Sequence, residues 1–542
     1  MRIAPPRRVP LTSRLVAAAV MLALGACTGA LDDGEPLGPP GTARVTPTDS
    51  RLPARVWRLS SDQIDAEVTR MFGAGAPAVG LPATATQHGL ANIAATSGID
   101  DGNVSQLIDG TRGVASWVVT NGPTASHCAA SWGTPACIDT FLAWLLPSAY
   151  RRAVTTDETS ALRALYTDVL GHYDNATAFA AVVRAVLMSP EFLYRTELGP
   201  SPTPLAAGAR TTLTGDEIAV LLSFALTESP PDAELTAASA SLSNPDERER
   251  QARRLVARSG PVWRHFFWQW LRMDTMRSQG VEVGLATNIV DQMEEEYGAY
   301  VDDVVVTNDG TFEDVFSATH TFVRPELAAH YGVSHTGTGL ARVELDPMQR
   351  GGLLTLGAWL LSHGKRGKDN VVRRGMGIFR DAMCNDVAPP VGVDVAAAQA
   401  ALVMNPNPTV LQSVTARGSS GVCATCHHLA DPVGLTFENY TSDGRWQSIY
   451  PDGRPVQSTV DIAGIGMFSD APMLSLSLTQ NARFRSCFLR RFANSFVGYD
   501  IGDPAHVTWL AEASASMRSH DDRLTELLVA LVRHPAFIER QN

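Results

Sequence analysis

The chain runs to 542 residues, with 44 Lys and Arg against 56 Asp and Glu and a net charge of −12. An acid excess of that size argues against nucleic acid and against bare anionic membrane as partners. Apolar content of 45% with 18% charged residues describes a folded globular protein with room for several domains.

The N-terminus reads as an export signal. Arg2, Arg7, Arg8 and Arg14 precede an apolar run from Leu15 to Leu24, too short to span a bilayer as a mature helix. The run ends in Leu24-Gly25-Ala26-Cys27, which resembles the bacterial lipobox, so Cys27 is expected to become the lipidated first residue of the mature chain. A cleaved signal peptide without lipid is the alternative. Several acyl chains on one residue anchor a protein where a single chain does not, so a lipid anchor on the cell envelope is expected, at the outer membrane on its periplasmic or surface side. Loss of residues 1–26 removes four Arg and no acid, leaving 40 basic against 56 acidic residues and a net charge of −16.

Residues 27–56, rich in Gly, Pro, Thr and Asp, read as a tether. From Trp57 a helix is signalled by Ser60 or Ser61 as N-cap and by Ile64, Val68, Met71 and Phe72 at helical spacing. Residues 74–125, with many Gly, Ala and Thr, read as irregular with short helices. Two strong helices follow, one with Leu162, Leu165, Tyr166, Val169 and Leu170 on a face, the next with Phe179, Val182, Val183, Val186 and Leu187. Thr214 caps a helix holding Ile218, Leu221 and Leu222. The aromatic run Trp263 to Trp270 reads as a buried packing helix rather than a cofactor box. Glu294, Glu295, Glu296, Asp302 and Asp303 read as a solvated helix face. Residues 346–390 hold an apolar helix and a basic loop and end at Pro389-Pro390; residues 391–420 read as a helix and a flexible approach. Leu474 to Val497 and Leu524 to Val532 are helical again. The fold class is mainly α, with segments 57–125, 126–200, 205–345, 346–465 and 466–542.

Within the fourth segment, Gly421 to Trp446 contains Cys423, Cys426 and His427 as C-x-x-C-H. Two thiols at this spacing can each add to one vinyl group of a haem, and the following histidine then ligates the iron. Seven Cys and thirteen His in 542 positions produce such a pattern by chance about 2 times in 1000. The competing readings are a structural zinc site, for which no second ligand pair is nearby, a thioredoxin-like pair, and a plain disulfide or free thiols. With Cys27 assigned to lipid and two thiols to haem, Cys128, Cys137, Cys384 and Cys487 are left, an even number suited to an oxidising compartment. The short loop makes Cys128–Cys137 the first choice, leaving Cys384 for Cys487; buried free thiols are the alternative.

Further residues carry a resemblance. They are Ala149-Tyr150-Arg151-Arg152, the stretch Ser189 to Glu197 (SPEFLYRTE), Leu327-Ala328 with Tyr331-Gly332, Arg350-Gly351-Gly352-Leu353-Leu354, and Arg374-Gly375 ahead of Cys384. The last is C-x-x-C-H-x-x-x-D-P-x-G-x-x-F-E followed by Asp443-Gly444-Arg445-Trp446. From about residue 57 to 540 the chain resembles a planctomycete- and myxobacterial-type family of secreted proteins built from consecutive domains of unknown function. Gly367-Lys368-Asp369 departs from the family pattern. The resemblance implies a small C-terminal cytochrome c-like module and supplies no substrate.

One covalent haem c is therefore expected, on Cys423 and Cys426 with His427 as axial ligand. Pro432 resembles the proline whose carbonyl orients that histidine in small cytochromes c; Asp431 to Gly434 as a simple turn is the alternative. For the sixth iron position Met467 stands slightly ahead of Met473, an open site is at least as probable as either, and His428, His506, His520 and His534 are unranked. Methionine would make an electron carrier working with a redox partner protein, whereas an open position would make a peroxidase- or oxygenase-like enzyme. A binding lipoprotein with structural haem is the third reading, so whether the protein is an enzyme stays open.

Overall fold

The computed structural model describes residues 52–122, 128, 132, 134–201, 206–366, 370–385, 408–419, 421–501 and 507–541. Cys27 with the export signal, most of the tether, Gly367-Lys368-Asp369, Pro389-Pro390 and His506 lie outside them.

Strands β1 (Leu52–Pro53) and β2 (Arg55–Arg58) open the described chain. The end of the expected tether is thus part of the fold: Leu52 is buried, and Arg55 Nε donates to Glu197 Oε2 at 3.0 Å. Helix α1 (Ser61–Phe72) starts at a capping box of Ser60 and Gln63 and buries Ile64, Val68, Met71 and Phe72, as their spacing predicts. Residues 74–125 are more regular than expected. Asp100 caps the twenty-residue α2 (Asp101–Thr120), whose inward stripe is Leu107, Thr111, Val114 and Val118. Its glycines dilute the apolar signal but serve packing, since a Cβ on Gly110 would meet the Val79 carbonyl oxygen at 2.0 Å.

Helices α3 (Ile138–Tyr150), α4 (Thr156–His172) and α5 (Asn175–Leu187) complete this region. The expected face of α5 is wholly buried, whereas α4 buries Tyr166 and lies outermost. Strand β3 (Tyr194–Glu197) pairs antiparallel with β2, setting Arg195 opposite Trp57. Strand β4 (Arg210–Thr212) leads to α6 (Gly215–Thr227), capped by Thr214 with Glu217. Then come α7 (Pro245–Leu255), α8 (Gly260–Trp270), α9 (Thr287–Val301), α10 (Phe312–Ser317) and the hairpin β5 (His320–Val323)–β6 (Ala341–Glu344). Helices α11 (Gly357–Ser362), α12 (Val371–Met376), α13 (Val410–Ser419) and α14 (Gly421–Leu435) precede the hairpin β7 (Val460–Ile462)–β8 (Gly466–Phe468). Finally α15 (Ala482–Val497), α16 (Val507–Ser519) and α17 (Leu524–Arg533) lead to β9 (Glu539–Gln541), which lies between β1 and β4. The protein is mainly helical, and strands of two to four residues gave no alternation to read.

Buried side chains gather into two large cores. One spans residues 59–193 with Phe224, so segments 57–125 and 126–200 share it. The other joins the three later segments around an aromatic slab. On α8, Trp263 stacks on Phe492 of α15 with centroids 4.4 Å apart, and Trp270 meets Phe484 at 5.3 Å. The aromatic run is a packing helix, as its composition predicts. Cys128 pairs with Cys137 and Cys384 with Cys487, at Cα separations of 5.9 and 5.5 Å.

The acidic run on α9 departs from expectation at one position. Glu296 faces inward beside Met293, Tyr297 and Tyr300, where it accepts from Tyr331 Oη at 2.6 Å and Thr321 Oγ1 at 2.8 Å. Burial raises its pKa from 4.5 to about 7 despite these bonds. The folded carboxyl keeps its proton until about 7, while the unfolded one releases it near 4.5. Between those values the unfolded state binds fewer protons, so this group makes stability fall as pH rises. Denaturant titrations of Glu296→Gln should show that slope flattened between pH 5 and 7, by roughly 3 kcal/mol over the window.

Candidate haem-attachment site

Helices α13 and α14 pack antiparallel, Gly418 against His428 and Val414 against Leu435. Cys423, Cys426 and His427 stand at i, i+3 and i+4 on α14, hence on one face. Both thiols are partly exposed and outside the disulfides. His427 Nδ1 lies 2.8 Å from Asp431 Oδ1, and the other carboxylate oxygen accepts from Arg417 Nε of α13 at 2.6 Å. Asp431 is fully buried. A carboxylate accepts, so Nδ1 carries the proton and Nε2 is the nitrogen with a lone pair for a metal.

This arrangement corrects one detail of the sequence reading. Pro432 sits inside α14, and the partner of His427 Nδ1 is the Asp431 side chain, not the Pro432 carbonyl. Spacing explains it, because i and i+4 meet on a helix while the i+5 position has turned away.

The helix is held at a close crossing. A Cβ on Gly434 would meet the Val371 carbonyl oxygen at 1.9 Å, and one on Gly375 the Ala430 oxygen at 2.0 Å. Glycine on both sides lets the backbones of α12 and α14 touch. Arg374, wholly buried, donates to the carbonyls of Phe437, Tyr440 and Thr441 at 2.7–2.9 Å, in the turns that carry the chain away from α14. Phe437 packs on Trp359 at 4.8 Å. Arg350 lies over Tyr331 at 4.1 Å and donates to the Thr355 and Gly444 carbonyls. The motif residues beyond the C-x-x-C-H thus position the helix.

Met467 is paired with Asp461 on the outward pleat of the β7–β8 hairpin and is 67% exposed. That hairpin reaches α14 through Val460, which packs near Leu435, two turns beyond His427. Met473 is exposed on the following helix, its sulfur near Ser469. His428 bonds the Ala424 carbonyl, His520 the Ser516 carbonyl, and His534 caps a short helix through Ala536. His363 escaped the sequence reading: it is buried, stacked on Trp359 at 4.6 Å, and burial pulls its pKa down to about 4.

The residues fit a haem. Two accessible thiols and an imidazole nitrogen share one helix face, and the imidazole is held from behind by a buried carboxylate. A zinc site fits less well, because among the described residues no three His, Cys, Asp or Glu side chains gather for a metal ion. A thioredoxin-like pair would follow a strand, whereas α14 follows a helix.

Three family models match consecutive segments, each described as a protein of unknown function. They are PSD5 (DUF1595) over residues 137–197, PSD4 (DUF1592) over 213–333 and PSCyt3 (DUF1588) over 350–450. Their order supports the multi-domain family that the sequence resembles, and the last covers Cys423 to His427. No curated protein and no solved structure matches.

An alanine at Gly434 tests the crossing. On a free helix it would stabilise by about 1 kcal/mol. Here urea denaturation should show a loss of about 2 kcal/mol or more, because backbone must move to admit the methyl.

Proposed function

We propose that this chain is an exported c-type haem lipoprotein serving electron transfer, anchored through lipid on Cys27. Cys423 and Cys426 would hold one haem by thioether bonds, and His427 Nε2 would supply a ligand to its iron. The observation that carries this reading is the shared helix face of the three residues, with His427 Nδ1 already engaged by Asp431. The haem supplies one-electron redox chemistry. The protein's part is to fix the imidazole through Asp431 and Arg417 and to hold α14 rigidly through Gly375, Gly434 and Arg374.

Export is supported by the two disulfides, which belong to an oxidising compartment. Among the described residues no helix is long and apolar enough to cross a membrane. The acidic balance fits a redox partner with a positively charged face. The Asp431 contact also favours a second reading, a haem enzyme with an open sixth position, because a carboxylate strengthens the imidazole as a donor.

In purified exported protein the haem should survive denaturing electrophoresis and stain on the gel, and Cys426→Ala should weaken or abolish the stain. Protein without covalent haem would overturn the proposal. Rapid carbon monoxide binding by the reduced protein selects the enzyme reading, and its absence selects the electron carrier. Replacing Asp431→Asn should raise the midpoint potential in a redox titration, since a neutral amide no longer favours the oxidised iron.

A further inference from the structure

A cavity of 480 Å³ lies away from the haem helix, where α3, β3 and the start of α6 meet. Two stretches that the redox reading leaves unused, Tyr150-Arg151-Arg152 and Pro190 to Thr196, supply most of its wall. Its feature is an unsatisfied buried cation. Arg195 is 5% exposed, with its guanidinium 3.8 Å from the Trp57 ring and 4.6 Å from the Phe224 ring. Two aromatic rings thus pack on the guanidinium, and Arg195 still lines the cavity. Arg195 Nε and Arg151 Nη1 are buried with no hydrogen-bond acceptor among the described residues.

Neighbouring carboxylates do not satisfy these donors. Glu197, two positions along β3, is committed to Arg55 and Arg540 at 3.0 and 2.8 Å. Glu217 accepts the Leu198, Gly199 and Thr214 N–H groups. Arg151 spends Nη2 on the Glu191, Phe192 and Tyr194 carbonyls, which fixes it in the wall. Burial pulls Arg195 down to about 9 and Arg151 to about 10, so both stay charged at neutral pH. A buried guanidinium edge without an acceptor is costly, and an anion with planar oxygens satisfies it best.

We infer that this cavity is a binding site for a small monocarboxylate, held by the edge of Arg195 with Arg151 beside it. Apolar contact for the rest of the ligand comes from Val56, Val220 and the rings of Tyr150 and Tyr194. A single negative charge is selected because Glu191, Asp216 and Glu217 line the same space and repel a phosphate dianion.

Calorimetric unfolding of the intact purified protein tests the site, at constant ionic strength with chloride as reference. The probes are propionate, benzoate and indole-3-acetate, each beside its primary amide, with phenyl phosphate as the dianion. At least one carboxylate should raise Tm with concentration, while its amide and phenyl phosphate do not. Arg195→Met should weaken binding at least about tenfold. Val220→Trp fills the space from α6 while leaving both arginines in the chain and should also remove the shift, which keeps the test decisive if the arginine variant fails to fold. The inference is overturned if no carboxylate shifts Tm, if an amide or phenyl phosphate matches its carboxylate, or if either variant retains the wild-type response.

Discussion

Buried arginine is the constraint on which this fold depends. Arg248 donates to the carbonyls of Leu242, Ser243, Val532 and Arg533, tying α7 to the end of α17. Arg374 holds the turns that follow α14, Arg151 the short helix Pro190–Leu193 and the start of β3, and Arg540 secures the last strand to Glu197. Apart from the Glu197 carboxylate, these oxygens are backbone carbonyls at helix ends or in the turns that follow them. A planar fork of five donors can serve four carbonyls at once, whereas a lysine ammonium has only three donors. The chain has only two lysines, Lys365 and Lys368. Burial pulls Arg151, Arg248 and Arg374 down to about 10, still above neutral pH, so the clamps keep their charge. Removing one would expose several buried carbonyls together, which makes these positions poor sites for conservative exchange.

The same device links the core to the site. The aromatic slab fixes α8 against α15, and α15 carries Cys487. Its disulfide to Cys384 follows a π-helical turn, Gly377–Ala382, that continues directly from α12. Asn385 reinforces the connection, donating to the Phe379 carbonyl at 2.7 Å and accepting from Arg483 at 2.9 Å. Helix α12 then grips α14 through Gly375 and Arg374. The C-x-x-C-H face is therefore presented by a helix anchored to the largest core of the protein.

How far the sequence revealed this depends on what each feature needs. Caps at Ser60 and Thr214, the buried face of α5 and the aromatic packing helix rest on neighbours within a turn, and their patterns are visible in the chain. The cysteine pairing followed from short-loop preference and elimination. Glu296 was misread because its acidic neighbours dominate the run, although Met293, Tyr297 and Tyr300 mark its face as the inner one. The length of α2 was hidden by glycines kept for close packing. Asp431 stands next to Pro432, and its i, i+4 spacing from His427 is the signal that singles it out. The cavity around Arg195 could not be read at all, since it needs Trp57 and Phe224 from distant parts of the chain.

The identity of the His427 partner matters more than a change of acceptor atom suggests. A peptide carbonyl orients an imidazole by a dipole, whereas a carboxylate does so with a full charge. In a buried setting that charge is weakly screened. It stabilises the proton on Nδ1, makes Nε2 a stronger donor and favours the oxidised state of an iron bound there. Arg417 works against this, because its Nε at 2.6 Å draws on the same carboxylate. The orientation of His427 is therefore set by a balance of two opposed charges, and Arg417 is supplied by a different helix. The packing of α13 on α14 thus decides how the buried Asp431 carboxylate is shared between Arg417 and the His427 imidazole.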